Sequence, residues 1–253
     1  MSKDSRWQIF CKYCMITICL ITAPSVAAAP QDAEKQSILL PEFLTYFDAL
    51  DHETYSMRSE AHLKLSQAIL DDAQIIHLFQ NVGSYEQLHR LLQITRHWFI
   101  RSQIKPTSPD AKIKHGAIGM NFSQIASHQD PRIKHPAIQV TRTLPGFPAY
   151  QHIIPGDLII AINHQPTNHG FNLQRFAQEI RNLKLDSVVT FDLLRKNQTL
   201  TRSITLSSYT QLTRIYPINT TPTGELAAPI ESAWQMYRKQ MLSHVSSDLW
   251  PQQ

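Results

Sequence analysis

The sequence predicts an α+β chain, and three observations carry that reading. Apolar residues recur at helical spacing through residues 59–101. Five of the seven glycines fall between Gly116 and Gly170, and β-branched runs follow one another from Ile138 to Leu206. A last apolar stripe at helical spacing runs from Ile230 to Val245. The expected architecture is a small, partly open β-barrel or sandwich with one helix. A helical hairpin precedes it and a C-terminal helix follows.

The first residues read as a targeting segment. Lys3, Arg6 and Lys12 give a basic start, Tyr13 to Ala23 is an apolar run, and Val26-Ala27-Ala28-Ala29 offers small residues for cleavage. That layout is a secretory signal peptide over residues 1–28. The run is short for a spanning helix, which needs about 20 apolar residues. An uncleaved signal anchor is the alternative. Cys11, Cys14 and Cys19 are the only cysteines and all lie in this segment. A chain cleaved after it has no thiol for disulfide, thiolate metal site or nucleophile.

Residues 30–105 read as a helical N-terminal region and linker. Residues 30–58 are poorly periodic. Leu65, Ile69, Ala73, Ile76 and Phe79 then share one helical face, and Gly83 ends it. Ser84 and Gln87 have capping-box spacing, and Leu88, Leu91, Leu92, Thr95 and Trp98 line the next helix. Lys105-Pro106-Thr107-Ser108-Pro109-Asp110 resists helix and strand interior alike and reads as a linker.

The strand-rich domain is expected over residues 112–207. Ser187–Leu194 and Thr199–Leu206 alternate about a turn at Lys196-Asn197-Gln198 and predict a β-hairpin. Leu173, Phe176, Ala177 and Ile180 share one face of a helix starting near Asn172. Residues 208–253 read as an irregular tail, then a helix opened by Pro229, with Ile230, Trp234, Tyr237 and Met241 on its docking side. Net charge is +4, too mild to argue for nucleic acid. The charge is uneven: ten acidic and five basic residues from Pro30 to Ile100 give way to eleven basic and five acidic from Ala111 to Ser207. The halves therefore suit each other, or the second suits an acidic partner.

Three segments carry a family resemblance. They are Gly116-Ala117-Ile118-Gly119-Met120, Val140–Ala149 with Leu144-Pro145-Gly146-Phe147, and Ile154-Pro155-Gly156-Asp157-Leu158-Ile159-Ile160-Ala161-Ile162-Asn163. In this order, with the helix from Asn172 and the closing hairpin, the segment resembles a PDZ domain of the type found in bacterial HtrA-like periplasmic proteases. The resemblance implies a groove between a strand and a helix that takes an extended peptide or a free C-terminus. It also implies the peptide-binding residues. Ala117, Ile118, Gly119 and Met120 would form the carboxylate loop, and Leu173, Phe176, Ala177 and Ile180 the helix side. Two departures stand out. Asn163-His164 replaces the usual Asn-Gly turn, and Ser123–Lys134 is longer than usual and polar, a candidate for altering groove access.

No Gly-Asn-Ser-Gly-Gly, Gly-x-Ser-x-Gly or His-Glu-x-x-His stretch occurs, so no catalytic residue is assigned. Of the twelve histidines, only His115, His128 and His135 fall near one loop, and no metal site or cofactor is expected. The resulting expectation is a non-catalytic periplasmic adaptor that binds another envelope protein. No nucleic acid is expected, and no membrane contact beyond an uncleaved signal. A structural or assembly subunit whose own tail fills the groove is the alternative.

Overall fold

In the computed structural model of the chain, the residues described are 41–104, 115–167, 172–217 and 225–249. The expected signal segment at 1–28 and the linker at 105–110 lie outside them. Helix α1 (Pro41–Asp48) runs into a 3-10 turn at Ala49–Asp51, and α2 (Tyr55–Gln67), α3 (Asp72–Gln80) and α4 (Tyr85–Ser102) follow. The span expected as a hairpin of two helices, residues 59–101, thus holds three, α2 to α4, and α1 stands in the segment 30–58 that reads as poorly periodic. Its first expected helix breaks at Ala68–Asp71, because Asp71 opens a new one. The Asp71 carboxylate accepts the Gln74 amide at 2.8 Å, and the Gln74 side-chain oxygen accepts the Asp71 N–H at 3.1 Å. This reciprocal cap satisfies two donors and outweighs the apolar periodicity that spans the break. Ile69, expected on the buried face, is left 86% exposed in the break.

The strand-rich body follows: β1 (Gly116–Ala117), β2 (Met120–Ile125), β3 (Ala137–Thr143), β4 (Leu158–Ile162), β5 (Gln165–Pro166), α5 (Leu173–Asn182), β6 (Val188–Arg195), β7 (Gln198–Thr205) and β8 (Ser207–Ser208). The main sheet is antiparallel in the order β2-β3-β4-β6-β7, with β5 on β4, while β1 pairs with β8. The fold class is α+β. Asn172 caps α5 by accepting the Arg175 amide at 2.9 Å. Phe176 and Ile180 turn inward from α5 to meet Ile138, Val140, Phe191 and Ile204 from the sheet. Each such large side chain contributes about 1.5–3 kcal/mol on full burial. Asn163 and His164 both take positive φ, 46° and 63°. His164 thus adopts the left-handed geometry that the family's glycine would supply, with Asp192 3.4 Å from its ring.

Two further helices close the chain, α6 (Tyr209–Ile215) and α7 (Ala228–Leu242). The tail expected to be irregular from residue 208 thus begins with a helix, capped by Ser208. Trp234 and Met241 are buried. Met241 joins the core of α1–α4 with Leu65, Phe79 and Leu91. Trp234 lies in another apolar cluster with Ile100, Leu144, Phe147, Ile215 and Tyr216. That cluster joins α4, the loop after β3, α6 and α7. Polar pairs join α2 to the 3-10 turn at Pro148–Gln151. Gln67 donates to the Gln151 carbonyl at 2.7 Å, and Gln151 donates to the Ser66 carbonyl at 3.0 Å. All described residues fall within one compact unit, Gln36–Gln253. Among them no helix is long and apolar enough to cross a membrane.

Candidate peptide groove

Strand β2 is a sheet edge, with β3 on one side and α5 facing the other. The turn leading into it, Ala117–Gly119, is anchored on both flanks. The Gly116 amide donates to the Leu183 carbonyl at 2.7 Å, and His115 Nδ1–H donates to the Arg181 carbonyl at 2.9 Å. The Ile118 carbonyl accepts the Ala149 N–H at 2.9 Å, and the Gly119 carbonyl accepts the Leu144 N–H at 2.8 Å. These two bonds orient the donors of the loop. In a trans peptide the C=O and the following N–H point in opposite directions. Since both carbonyls face the body, the N–H groups of Gly119 and Met120 face away from it, on the groove side. The register agrees. With the Leu144-to-Gly119 bond flanking it, Met120–Thr143 is a non-hydrogen-bonded pair whose backbone groups point off the edge. Two adjacent outward amides form an anion-binding concavity.

Gly119 is required there. Its φ is +74°, and an added Cβ would lie 2.1 Å from Phe147 Cβ. The loop can approach Phe147 this closely only without a side chain.

A cavity of about 170 Å³ opens between β2 and α5. Of the residues expected to bind peptide, Ala117, Ile118, Gly119, Met120, Phe176, Ala177 and Ile180 line it. Leu173 does not. It stands at the first turn of α5 and packs, half-buried, against the core. Four lining residues escaped the sequence reading: Phe122, Arg181, Tyr209 and Leu212. Phe122 sits edge-on to Phe176, with ring centroids 4.8 Å apart. Its position two residues beyond Met120 on the same strand was the available signal. Arg181, four residues beyond Ala177, was signalled by helical spacing. Its guanidinium lies 5.7 Å from the Tyr209 ring. Tyr209 and Leu212 come from α6, whose docking beside the loop has no local signature. Among the described residues no carboxylate borders the cavity, and Arg181 is the charged residue on its wall.

The long stretch Ser123–Lys134 does not border this cavity. Arg132 pairs with Asp130 and donates to the Lys196 carbonyl at 2.6 Å, tying the stretch to the β6–β7 turn. The Arg132 guanidinium holds the Asp130 carboxyl down at about 2. No group of three metal-binding side chains occurs among the described residues.

The PDZ domain family model matches residues 108–192. Among solved structures, two of the HtrA-type protease AlgW with a decapeptide are similar over part of the chain. One is 16% identical with a TM-score of 0.34, covering 39% of this chain and 30% of that one. The other is 14% identical with a TM-score of 0.33, covering 50% and 35%. The serine endoprotease from Yersinia pestis is 22% identical with a TM-score of 0.31, covering 39% and 31%. The match thus spans about a third of the length of those proteases. No curated protein matches the sequence. The strand order, the helix-flanked edge strand and the family match agree on one conclusion: the chain carries a PDZ domain, a non-catalytic peptide-binding module, over residues 108–192.

Proposed function

We propose that the protein is a non-catalytic adaptor of the bacterial envelope, exported to the periplasm, which captures the C-terminus or an extended segment of another envelope protein in the PDZ groove. The observation that carries this reading is the pair of outward amides, Gly119 and Met120, beside an apolar cavity with no carboxylate on its wall among the described residues. A terminal carboxylate would take the two amides and the Arg181 charge. The terminal side chain would lie among Ile118, Met120, Phe122, Phe176 and Ile180, and upstream residues would extend the sheet along β2. Phe and Met on those walls suit a medium-sized apolar side chain.

The test is binding of a chain beginning at Pro30 to a library of C-terminal peptides, each with a free and an amidated end. Selective binding that amidation abolishes is the expected result. Absence of binding to every peptide would remove the receptor reading.

A second reading has one observation in its favour. Tyr209 and Leu212 of the chain's own tail already wall the groove. In an assembly subunit the tail would act as a plug, and the working surface would lie on the helices. Leu212→Ala separates the two readings, because peptide affinity rises if α6 plugs the groove and falls if α6 is part of its wall.

A further inference from the structure

A second cleft lies on the opposite edge of the sheet. It has a volume of about 470 Å³ and separates α2 from the β6–β7 hairpin. Lys64 borders it from α2, and Lys196 and Arg202 border it from the hairpin. Arg195 also lines it, but its guanidinium is committed to the buried Asp157 carboxylate at 2.7 and 2.8 Å. Among the described residues Glu60 is the one carboxylate lining it. Among the described residues, none of Lys64, Lys196 and Arg202 lies within ion-pair distance of a carboxylate. Leu63, Ile154 and Leu200 contribute apolar surface.

The backbone beside this cleft is open as well. Strand β7 ends the sheet order. The Leu206 N–H donates to the Ser187 carbonyl at 2.9 Å, which sets the phase of the ladder. Counting back along the register, Leu200 and Arg202 exchange bonds with β6, while Thr199 and Thr201 are non-hydrogen-bonded positions. The N–H and C=O groups of Thr199 and Thr201 therefore point off the free edge. The Thr201 carbonyl takes the Arg202 guanidinium at 3.1 Å. The Thr199 groups and the Thr201 amide have no partner among the described residues.

We infer that this cleft is a second docking site, and that its occupant is an extended acidic segment of a partner polypeptide. Main-chain pairing at Thr199 and Thr201 would hold the segment in register. Alternate side chains of an extended chain point to one face, so every second residue meets the cleft. Carboxylates at those positions would meet Lys64, Lys196 and Arg202. A cationic segment would face three unpaired positive charges and be rejected. The site is independent of the PDZ groove, so the protein would hold two segments at once.

The probe is a decapeptide of alternating Glu and Val, acetylated and amidated so that it offers no terminal carboxylate. It is titrated against the full chain at low ionic strength, where screening is weakest. Binding is expected for this peptide and not for its Lys-Val counterpart. The double variant Lys64→Glu/Lys196→Glu alters two exposed side chains and should weaken binding by about tenfold or more. Ala177→Glu, which blocks the PDZ groove, should leave it unchanged. Binding that survives the double variant would overturn the assignment. So would absence of binding, or equal binding of a single-stranded oligothymidylate. Loss through Ala177→Glu alone would place the peptide in the PDZ groove and overturn it too.

Discussion

At the scale of single residues, the carboxylate loop separates positions that build the groove from positions that read a ligand. Gly119 belongs to the first group. Its positive φ and its contact with Phe147 leave no room for a methyl group. We predict that Gly119→Ala costs about 2 kcal/mol or more of stability, read as a lower urea midpoint. A loss of binding at this position therefore says nothing about ligand recognition. Ala177 belongs to the second group. It is half-buried on the groove face of α5, beside the fully buried Phe176. Ala177→Glu should abolish peptide binding while the stability read from urea unfolding stays within the scatter of surface substitutions, about 0.5 kcal/mol. Arg181 can be examined through charge alone. If its guanidinium assists the terminal carboxylate, Arg181→Glu should weaken a free-ended peptide by about tenfold, since hydrogen bonds to charged groups contribute about 1.5–3 kcal/mol. Calorimetric titration with amidated peptide is the control, because that ligand should fail to bind the variant and the parent alike.

At the scale of elements, what was legible in the sequence depended on whether the signal was local. The β6–β7 hairpin and α5 were legible because alternation, helical spacing and the Asn172 cap are written within a dozen residues. The groove residues were legible through the order of loop, turn and helix. Periodicity alone could not show the break between α2 and α3, since Leu65 and Ile76 keep helical spacing across it. The cap at Asp71 and Gln74 outweighs that pattern. Gln87 illustrates a different limit. Ser84 accepts its amide at 3.1 Å, as the spacing suggested, but the Gln87 side chain takes the Gly83 N–H at 2.7 Å and donates to the Phe47 carbonyl at 3.0 Å. A partner forty residues away is invisible to a local motif. The same holds for α6 and α7, which dock through long-range apolar contacts. Trp234 shows how such docking reaches the groove. Its cluster includes Phe147, and Phe147 supports Gly119. Trp234→Ala should cost about 3–5 kcal/mol by cavity formation. It should also weaken peptide binding although Trp234 does not line the groove. Denaturant unfolding and peptide titration on the same variant test both halves. Unchanged affinity in a folded variant would show that the loop holds its geometry without α7.

At the scale of the whole molecule, a buried histidine, His97, and a partly buried one, His62, join the N-terminal helices to the PDZ body. The Gly146 N–H donates to His97 Nδ1 at 2.9 Å, so this nitrogen is an acceptor and the ring is neutral. The His97 ring stacks on Tyr150 at 4.6 Å, and the Tyr150 hydroxyl lies 2.9 Å from His62 Nε2. Burial pushes His97 down to about 3 and His62 to about 4, with nearby arginines adding to the effect. An unfolded histidine titrates near 6.5. Between that pH and about 4 the unfolded chain therefore binds more protons than the folded one, and stability must fall as pH falls through this window. Each group contributes a slope of up to about 1.4 kcal/mol per pH unit. Protonating His97 also removes the acceptor that holds Gly146, whose φ of +85° fixes the loop before Phe147. The expected outcome is a urea midpoint that drops steadily from pH 7 to 5. His97→Gln keeps an oxygen acceptor for Gly146 but cannot take up a proton, so its midpoint should change less over the same range. A parent protein whose midpoint is flat from pH 7 to 5 would show that these histidines are not kept neutral by folding.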